Sequence, residues 1–126
     1  MKNLSLALLL LLVASLAPAC KSNPKMDQQQ IIGKWTLTEM QRNGETSSMM
    51  DGLYLDFKSE AELQTNFNGE DELLGYDFNQ SQIVQHNTNG QGDYTFTVES
   101  LSDTALVLQT NIQGFDFRFQ FQKGGE

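Results

Sequence analysis

The chain has 126 residues, with 16 Asp or Glu, 8 Lys or Arg, one Cys and one His. This length suffices for one domain of ordinary size, and a second domain does not fit beside the apolar leader described below. The formal net charge of −8 repels nucleic acid, so the sequence excludes a protein that binds nucleic acid through basic patches. With a single cysteine no intramolecular disulfide forms, and stability must come from core packing.

The first 19 residues predict a cleaved signal peptide. Lys2 precedes an apolar run over residues 4 to 17, which is too short for a membrane-spanning helix of roughly 20 residues. The residues Leu-Ala-Pro-Ala before Cys20 resemble the lipobox of bacterial lipoproteins, whose cysteine is acylated and becomes the first mature residue. The resemblance implies a lipid on Cys20, the membrane as a partner through that lipid, and a place in the bacterial cell envelope, at the outer membrane.

Residues 20–30 predict the lipidated cysteine and a flexible tether, because they lack apolar periodicity and end in a glutamine run. Over residues 31–123, apolar and polar residues alternate, and Gly, Asn, Asp and Ser clusters interrupt the pattern roughly every ten residues. This pattern predicts an all-β domain with eight strands. The predicted strands are 34–41, 53–58, 62–68, 73–79, 82–87, 93–100, 105–112 and 115–122.

Alternation assigns one face of each predicted strand to the interior. It is clearest in the last strand, where four phenylalanines alternate with polar residues. The predicted inward residues are Trp35, Leu37, Leu53, Leu55, Phe57, Leu63, Phe67, Leu74, Tyr76, Phe78, Val84, Tyr94, Phe96, Val98, Leu106, Leu108, Ile112, Phe115, Phe117, Phe119 and Phe121. Strands that are apolar on one face predict an eight-stranded antiparallel up-and-down barrel without open edges. A two-sheet sandwich is the alternative.

The first predicted strand opens with Gly33, Lys34 and Trp35, which resembles the Gly-x-Trp motif at the start of lipocalin barrels. With its short tether and eight alternating strands, the domain resembles the small lipocalin-like domains of lipid-anchored proteins in Bacteroidetes-type bacteria. In lipocalins an arginine near the end of the barrel packs on that tryptophan, and the resemblance implies this role for Arg118. It also implies an interior that binds a small apolar molecule.

Residues suited to catalysis or metal binding are sparse. A single histidine, His86, without a second histidine or a thiolate, cannot form a zinc site of the usual kind, and we expect it to be structural or solvent-facing. The serines Ser81, Ser100 and Ser102 lie in predicted turns or strand ends, without a nucleophile elbow. The acidic turn 66–72 carries oxygen ligands, but a solvated hairpin tip is the favoured interpretation. The sequence predicts no catalytic residue, no metal site, no cofactor and no enzymatic activity.

Met49 and Met50, in the long loop after the first strand, are adaptable apolar side chains that predict a lid over a ligand; simple capping of the core is the alternative. The predicted ligand-binding residues are Met49, Met50, Leu53, Tyr76 and Tyr94.

Two functional hypotheses follow from the width of an eight-stranded barrel, which is either filled by side chains or holds one small ligand. The first is a lipid-anchored module that binds a small hydrophobic ligand. The second is an accessory or inhibitor protein with a filled barrel that acts by surface contact with an envelope protein. An open apolar pocket of about 300 Å³ or more would favour the first, and a solid core the second.

Overall fold

The computed structural model describes residues 26–124, so the predicted signal peptide and Cys20 lie outside the described residues. In chain order the elements are a 3₁₀ helix (Gln28–Ile31), β1 (Gly33–Arg42), β2 (Glu45–Ser47), β3 (Tyr54–Phe57), β4 (Glu62–Thr65), β5 (Glu72–Asn79), β6 (Gln82–His86), β7 (Tyr94–Leu101), β8 (Ala105–Ile112) and β9 (Phe115–Lys123). Within this part of the chain, no helix has the length and apolar character needed to cross a membrane.

The strands form one closed antiparallel sheet. From β3 to β9, each strand pairs with the next one along the chain. β1 pairs with β3 on one side and with β9 on the other, which closes the sheet into a barrel of eight strands. The predicted eight-stranded up-and-down barrel is therefore confirmed.

The short strand β2 is not among the predicted strands. It pairs with residues 40–42 of β1 through a turn at Asn43 and Gly44, whose φ angles are 51° and 85°. Positive φ at both central residues is typical of a type I′ hairpin turn, for which Asn-Gly is the strongest sequence signal. The sequence therefore contained the signal for this hairpin.

The two ends of the barrel differ. At the end where β1 begins, which we call the closed end, the 3₁₀ helix covers the barrel, and Asp27 and Gln30 form a reciprocal capping box at its start. Ile31, the last residue of this helix, has no exposed surface. Residues 28–30 of the helix lie within the segment predicted as a flexible tether, so the folded part begins before Ile31. The opposite end, which we call the mouth, carries the connections 43–53, 66–71, 87–93 and 113–114.

Side chains fill the barrel interior. Trp35, Leu106, Leu108 and Phe119 have 0% exposure, so no space of the size of a water molecule adjoins them. The other buried apolar residues are Ile31, Met40, Leu53, Leu55, Phe57, Leu63, Leu74, Tyr76, Ile83, Phe96, Val98, Phe117 and Phe121. The interior is a packed core, the state expected of the second hypothesis.

In β6 the predicted inward residue was wrong. Ile83 and Gln85 are buried, whereas Val84 is only half-buried. Ile83 and Val84 are adjacent apolar residues, so alternation alone permits either register, and the wrong one reverses every face in the strand.

The strands depart from simple alternation at other positions as well. A bulge between Leu37 and Glu39 changes the phase of β1 and turns Met40 into the core. Phe115 is 37% exposed, contrary to its predicted inward position, and the guanidinium of Arg42 lies 4.2 Å from its ring centroid. Phe115 is the first residue of β9 and lies at the rim of the mouth, outside the core.

Candidate functional site

The closed end is sealed around Trp35. Its Nε1 donates a hydrogen bond of 2.9 Å to the carbonyl of Ile31 in the 3₁₀ helix, and the ammonium of Lys123 lies 4.6 Å from the centroid of its ring. Gly33 has a φ of +123°, and a Cβ there would lie 2.9 Å from Lys123 Cε. Gly33 therefore leaves room for Lys123 to cross over to Trp35.

The role predicted for Arg118 was wrong, because Lys123 is the cation on Trp35. Arg118 stands between the buried Phe117 and Phe119 in β9 and therefore faces outward. Its Nε donates a hydrogen bond of 2.9 Å to Oε1 of Glu99.

Tyr76, a predicted ligand-binding residue, lies at the closed end. Its hydroxyl donates to the carbonyl of Ser59 at 2.8 Å and accepts from Gln28 Nε2 at 3.0 Å. Its ring meets Phe57 edge-on with a centroid distance of 4.9 Å. Burial raises the pKa of this hydroxyl above its ordinary value. The structure therefore separates Tyr76 from the methionines with which it was grouped.

The other predicted ligand-binding residues lie at the mouth. Met49 is exposed (59%), Met50 packs in part against the core, and Leu53 is buried. Tyr94 begins β7 and is half-buried against the same core. That these residues contact a ligand stays a prediction.

The centre of the mouth is occupied by Phe67, a residue of the 66–71 loop. Its ring lies 5.5 Å from that of Tyr94, 5.6 Å from Phe96 and 5.7 Å from Phe119. The sequence pattern predicts Phe67 within a strand, but β4 ends at Thr65. A loop residue thus plugs a core otherwise made by the strands.

Polar side chains are buried beside this plug. The buried polar residues are Thr65, Gln85 and Thr110, and each lies in the half of its strand nearer the mouth. Thr65 Oγ1 donates to the carbonyl of Tyr54 at 2.8 Å and accepts from the backbone N–H of Phe67 at 3.1 Å. Thr110 Oγ1 donates to the carbonyl of Thr95 at 2.6 Å. Both hydroxyls are therefore satisfied.

Gln85 is different, because half of its amide lacks a partner. It is 0% exposed, and its Nε2 donates to Asn87 Oδ1 at 2.8 Å. Its Oε1 is buried and accepts no hydrogen bond from the described residues. Leaving such an acceptor unpaired costs about 1–3 kcal/mol. The predicted register of β6 placed Gln85 outward, so the sequence did not indicate this residue; for Thr65 and Thr110, the alternation after Leu63 and Leu108 was a usable signal.

His86 lies on the outer wall and links two elements. Its Nε2 is 2.9 Å from Asp77 Oδ2 in β5, and its Nδ1 is 3.0 Å from Asp93 Oδ2, directly before β7. Hydrogen bonds with Asp77 and then Asp93 raise the pKa of His86 above its ordinary value. Among residues 26–124, no group of three or more His, Cys, Asp or Glu side chains is placed to hold a metal ion.

A surface cleft of about 390 Å³ adjoins the mouth. It is lined by Gln91, Asp93, Tyr94, Thr95, Asn111, Ile112 and Gln113. The cleft is a groove on the rim and does not enter the packed interior, where Phe96 and Phe119 are buried. A ligand at this end therefore meets a shallow site unless Phe67 moves.

The architecture is that of a known protein. A lipocalin-like protein from Bacteroides uniformis superposes with a TM-score of 0.56 at 21% sequence identity, covering 75% of this chain and 99% of that protein's chain. The fold is lipocalin-like. No protein-family model matches the sequence, and no curated protein matches it significantly.

Acidic side chains lie at both ends of the lipocalin-like barrel. The described lysines Lys34, Lys58 and Lys123 lie in or next to the closed end, together with the acids Asp27, Asp56, Glu60, Glu62 and Asp103. The mouth connections and the strand residues beside them carry the cation Arg42 and the acids Glu45, Asp51, Glu70, Asp71, Glu72, Asp93 and Asp116. The mouth is therefore the more negative end, and it disfavours an anionic ligand.

Proposed function

We propose that this protein is a non-enzymatic binding module of the bacterial envelope, anchored by a lipid on Cys20, which binds a small apolar ligand at the mouth of its barrel. Because the interior is packed, a ligand can enter only if a core ring moves, and the observation that supports such a site is the position of Phe67 in the 66–71 loop. A ring carried by a loop moves at a lower free-energy cost than one carried by a paired strand. The mouth is therefore the part of the interior that can open, and the aromatic rings beneath it would contact an apolar ligand.

The packed core limits what this site can hold. Below Phe67, the rings of Phe96 and Phe119 are buried, so a long acyl chain would have to displace strand residues as well. The ligand is accordingly about the size of the phenylalanine ring that it replaces. A compact aromatic or branched aliphatic molecule fits this description better than an extended lipid.

Titration of the mature domain with toluene, followed by nuclear magnetic resonance, tests the proposal. We expect shifts confined to the 66–71 loop, Met50, Tyr94 and the underlying rings of Phe96 and Phe119, with the indole N–H of Trp35 unchanged. Phe67→Ala should bind more tightly, because no ring has to be displaced. Leu73→Ala, an exposed position on the outer wall (57%), is the matched control. Failure of toluene and larger apolar compounds to shift any mouth resonance, even in Phe67→Ala, would refute the site.

Surface contact with an envelope protein is the second candidate. Three exposed large apolar residues, Met49, Leu73 and Phe115, all lie in the mouth half of the barrel. If they contact a partner, cross-linking through a cysteine placed at position 73 should capture one protein, and Met49→Ser with Phe115→Ser should abolish the product. Cross-linking that persists in that double variant would reject this surface.

The anchor is proposed from the sequence motif. Cys20→Ser should leave the protein unprocessed or release it into the soluble fraction, because the acyl chains supply the membrane affinity. Growth with radioactive palmitate should label the wild type only. Continued labelling of Cys20→Ser would show that Cys20 is not the acylated residue.

A further inference from the structure

The amide of Gln85 is held in one orientation by its neighbours. Asn87 Nδ2 donates to the carbonyl of Gly92 at 2.7 Å, so Asn87 Oδ1 must face the opposite way. That oxygen accepts from Gln85 Nε2 at 2.8 Å and from Asn68 Nδ2 at 3.0 Å. Rotating the Gln85 amide by half a turn would place two oxygens together. The unpaired atom is therefore Gln85 Oε1, an acceptor.

The Gln85 side chain neighbours a residue that contacts the Phe67 ring. Gln85 is directly opposite Tyr94 in the pairing of β6 with β7, and inward side chains at such positions are neighbours. The Tyr94 ring contacts Phe67 at 5.5 Å. Asn68, the next residue after Phe67, contacts the same Asn87 oxygen as Gln85. Movement of the 66–71 loop would therefore open space beside the Gln85 amide.

We infer that the ligand of the mouth is a small apolar molecule bearing one hydrogen-bond donor, a hydroxyl or an amide N–H, and that Gln85 Oε1 accepts this hydrogen bond while the apolar body takes the place of the Phe67 ring. This inference rests on the proposed function, for which it names the ligand class. A donor from the ligand would satisfy the one buried side-chain acceptor that the described residues leave unpaired.

The same geometry disfavours carboxylates. An ionised carboxylate has no proton to donate, so its oxygens would face Gln85 Oε1 without a bond. The carboxylate of Glu72 also lies close by, since its Oε2 accepts from Asn68 Nδ2 at 2.9 Å. Fatty acids and aromatic acids should therefore bind poorly at neutral pH, although their apolar parts fit.

A matched pair of ligands measures the contribution of the donor. The compounds 4-methylphenol and 1,4-dimethylbenzene have nearly the same shape and differ by a hydroxyl in place of a methyl group. We expect the mature domain to bind 4-methylphenol about five-fold more tightly, the effect of one neutral hydrogen bond. Binding of 4-methylbenzoate should be weaker than that of both. Dissociation constants come from resonance shifts of the 66–71 loop, and the side-chain amide of Gln85 should shift further with 4-methylphenol than with 1,4-dimethylbenzene.

Gln85→Met replaces the amide by an apolar side chain of similar length. In this variant the preference for 4-methylphenol should disappear, while 1,4-dimethylbenzene binds at least as well as before. Gln82→Met, at an exposed position of the same strand, is the matched control and should keep the preference. Each ligand is also measured in Phe67→Ala, where entry does not require displacement of the ring.

The outcomes separate this inference from the proposed function. Equal affinity of the wild type for 4-methylphenol and 1,4-dimethylbenzene would contradict the need for a hydrogen-bond donor and would leave the apolar site supported. A preference that survives in Gln85→Met would overturn the assignment to Gln85. Tight binding of 4-methylbenzoate would overturn the ligand class. If no compound binds even to Phe67→Ala, the proposed function fails together with the inference.

Discussion

At residue 33 the chain requires glycine for two separate reasons. The φ of +123° is unfavourable for any residue with a side chain, and a Cβ would also meet Lys123 Cε at 2.9 Å. Gly69 has a similar φ of +104° but open space around its Cα, so it shares the first reason and lacks the second. Comparing the two glycines isolates the contact with Lys123.

We therefore predict that Gly33→Ala lowers the free energy of unfolding by about 0.5–1 kcal/mol more than Gly69→Ala does. The excess arises because Lys123 must leave the Trp35 ring, which loses a cation–π contact of about that size. Urea denaturation of the purified domain gives both values. In a Lys123→Ala background the excess should vanish; an unchanged excess would place its origin in the backbone.

Removal of the Trp35 side chain should nearly unfold the domain. Trp35 is completely buried and ties the 3₁₀ helix to the barrel through Ile31. Replacing a buried tryptophan by alanine costs about 3–5 kcal/mol, out of a total that is typically about 5–15 kcal/mol. The measurement is the urea midpoint of Trp35→Ala. A midpoint equal to that of the wild type would contradict a structural role for this residue.

Alternation predicts the burial of Trp35. It also indicates that Lys123, rather than Arg118, is the cation on its ring. Lys123 continues the alternate positions of Phe119 and Phe121, which are inward, whereas Arg118 falls on the outward positions. An inward lysine at the end of the strand can reach over the last core ring. The resemblance to lipocalins implied that Arg118 packs on Trp35, whereas the pattern of this strand favours Lys123.

The link between β5 and β7 through His86 should make stability depend on pH. Because the folded-state pKa is raised by Asp77 and Asp93, the protonated ring stabilises the fold. This contribution is fully present below the unfolded-state pKa of about 6.5 and is lost as the pH rises through the higher folded-state value. The His86 side chain is 41% exposed, so we expect less than about 1 kcal/mol.

The test compares the wild type with His86→Gln, which cannot carry the charge. The difference in unfolding free energy should be largest at about pH 6 and should shrink as the pH rises past about 6.5. Asp103→Asn removes a charge from a turn at the closed end and serves as the control. A difference that stays constant with pH would show that the pairs with Asp77 and Asp93 do not hold in solution.

The strands should also differ in local stability. β9 pairs with β8 over eight residue pairs and with β1 on its other side, whereas β3 and β4 share three residue pairs. Amides of β9 should therefore exchange with solvent at least about tenfold more slowly than those of β4. Hydrogen exchange followed by nuclear magnetic resonance gives the ratio. Equal rates would indicate that the whole barrel opens in one step.

Most elements of the barrel were predictable, because alternation and turn residues are local signals. The errors in the predicted inward faces have local causes as well. The adjacent apolar residues Ile83 and Val84 made the register of β6 ambiguous, and the bulge after Leu37 shifted the phase of β1. Neither feature is encoded by a period of two. The position of Phe67 in a loop depends on how early β4 ends, which alternation does not show.

At the scale of the molecule, the fold was predictable and the arrangement of the mouth was not. The sequence indicated a barrel with Met49, Met50 and Leu53 at one end, and the structure places all three in the connection before β3. The hydrogen bonds that join Asn68, Asn87 and Gln85 bring together three separate parts of the chain. Such long-range contacts follow from the register of every strand between them, so an error in one strand conceals them.

The 3₁₀ helix at the closed end also determines how an anchored molecule would stand on its membrane. Met26 lies six positions after Cys20, a reach of about 20 Å at full extension. With Cys20 acylated, so short a link would hold the closed end near the bilayer. The acidic mouth then points away from the bilayer. Such a protein would collect its ligand from the aqueous compartment above it rather than extract it from the acyl chains below, which suits a compact, hydroxyl-bearing molecule that is appreciably soluble in water.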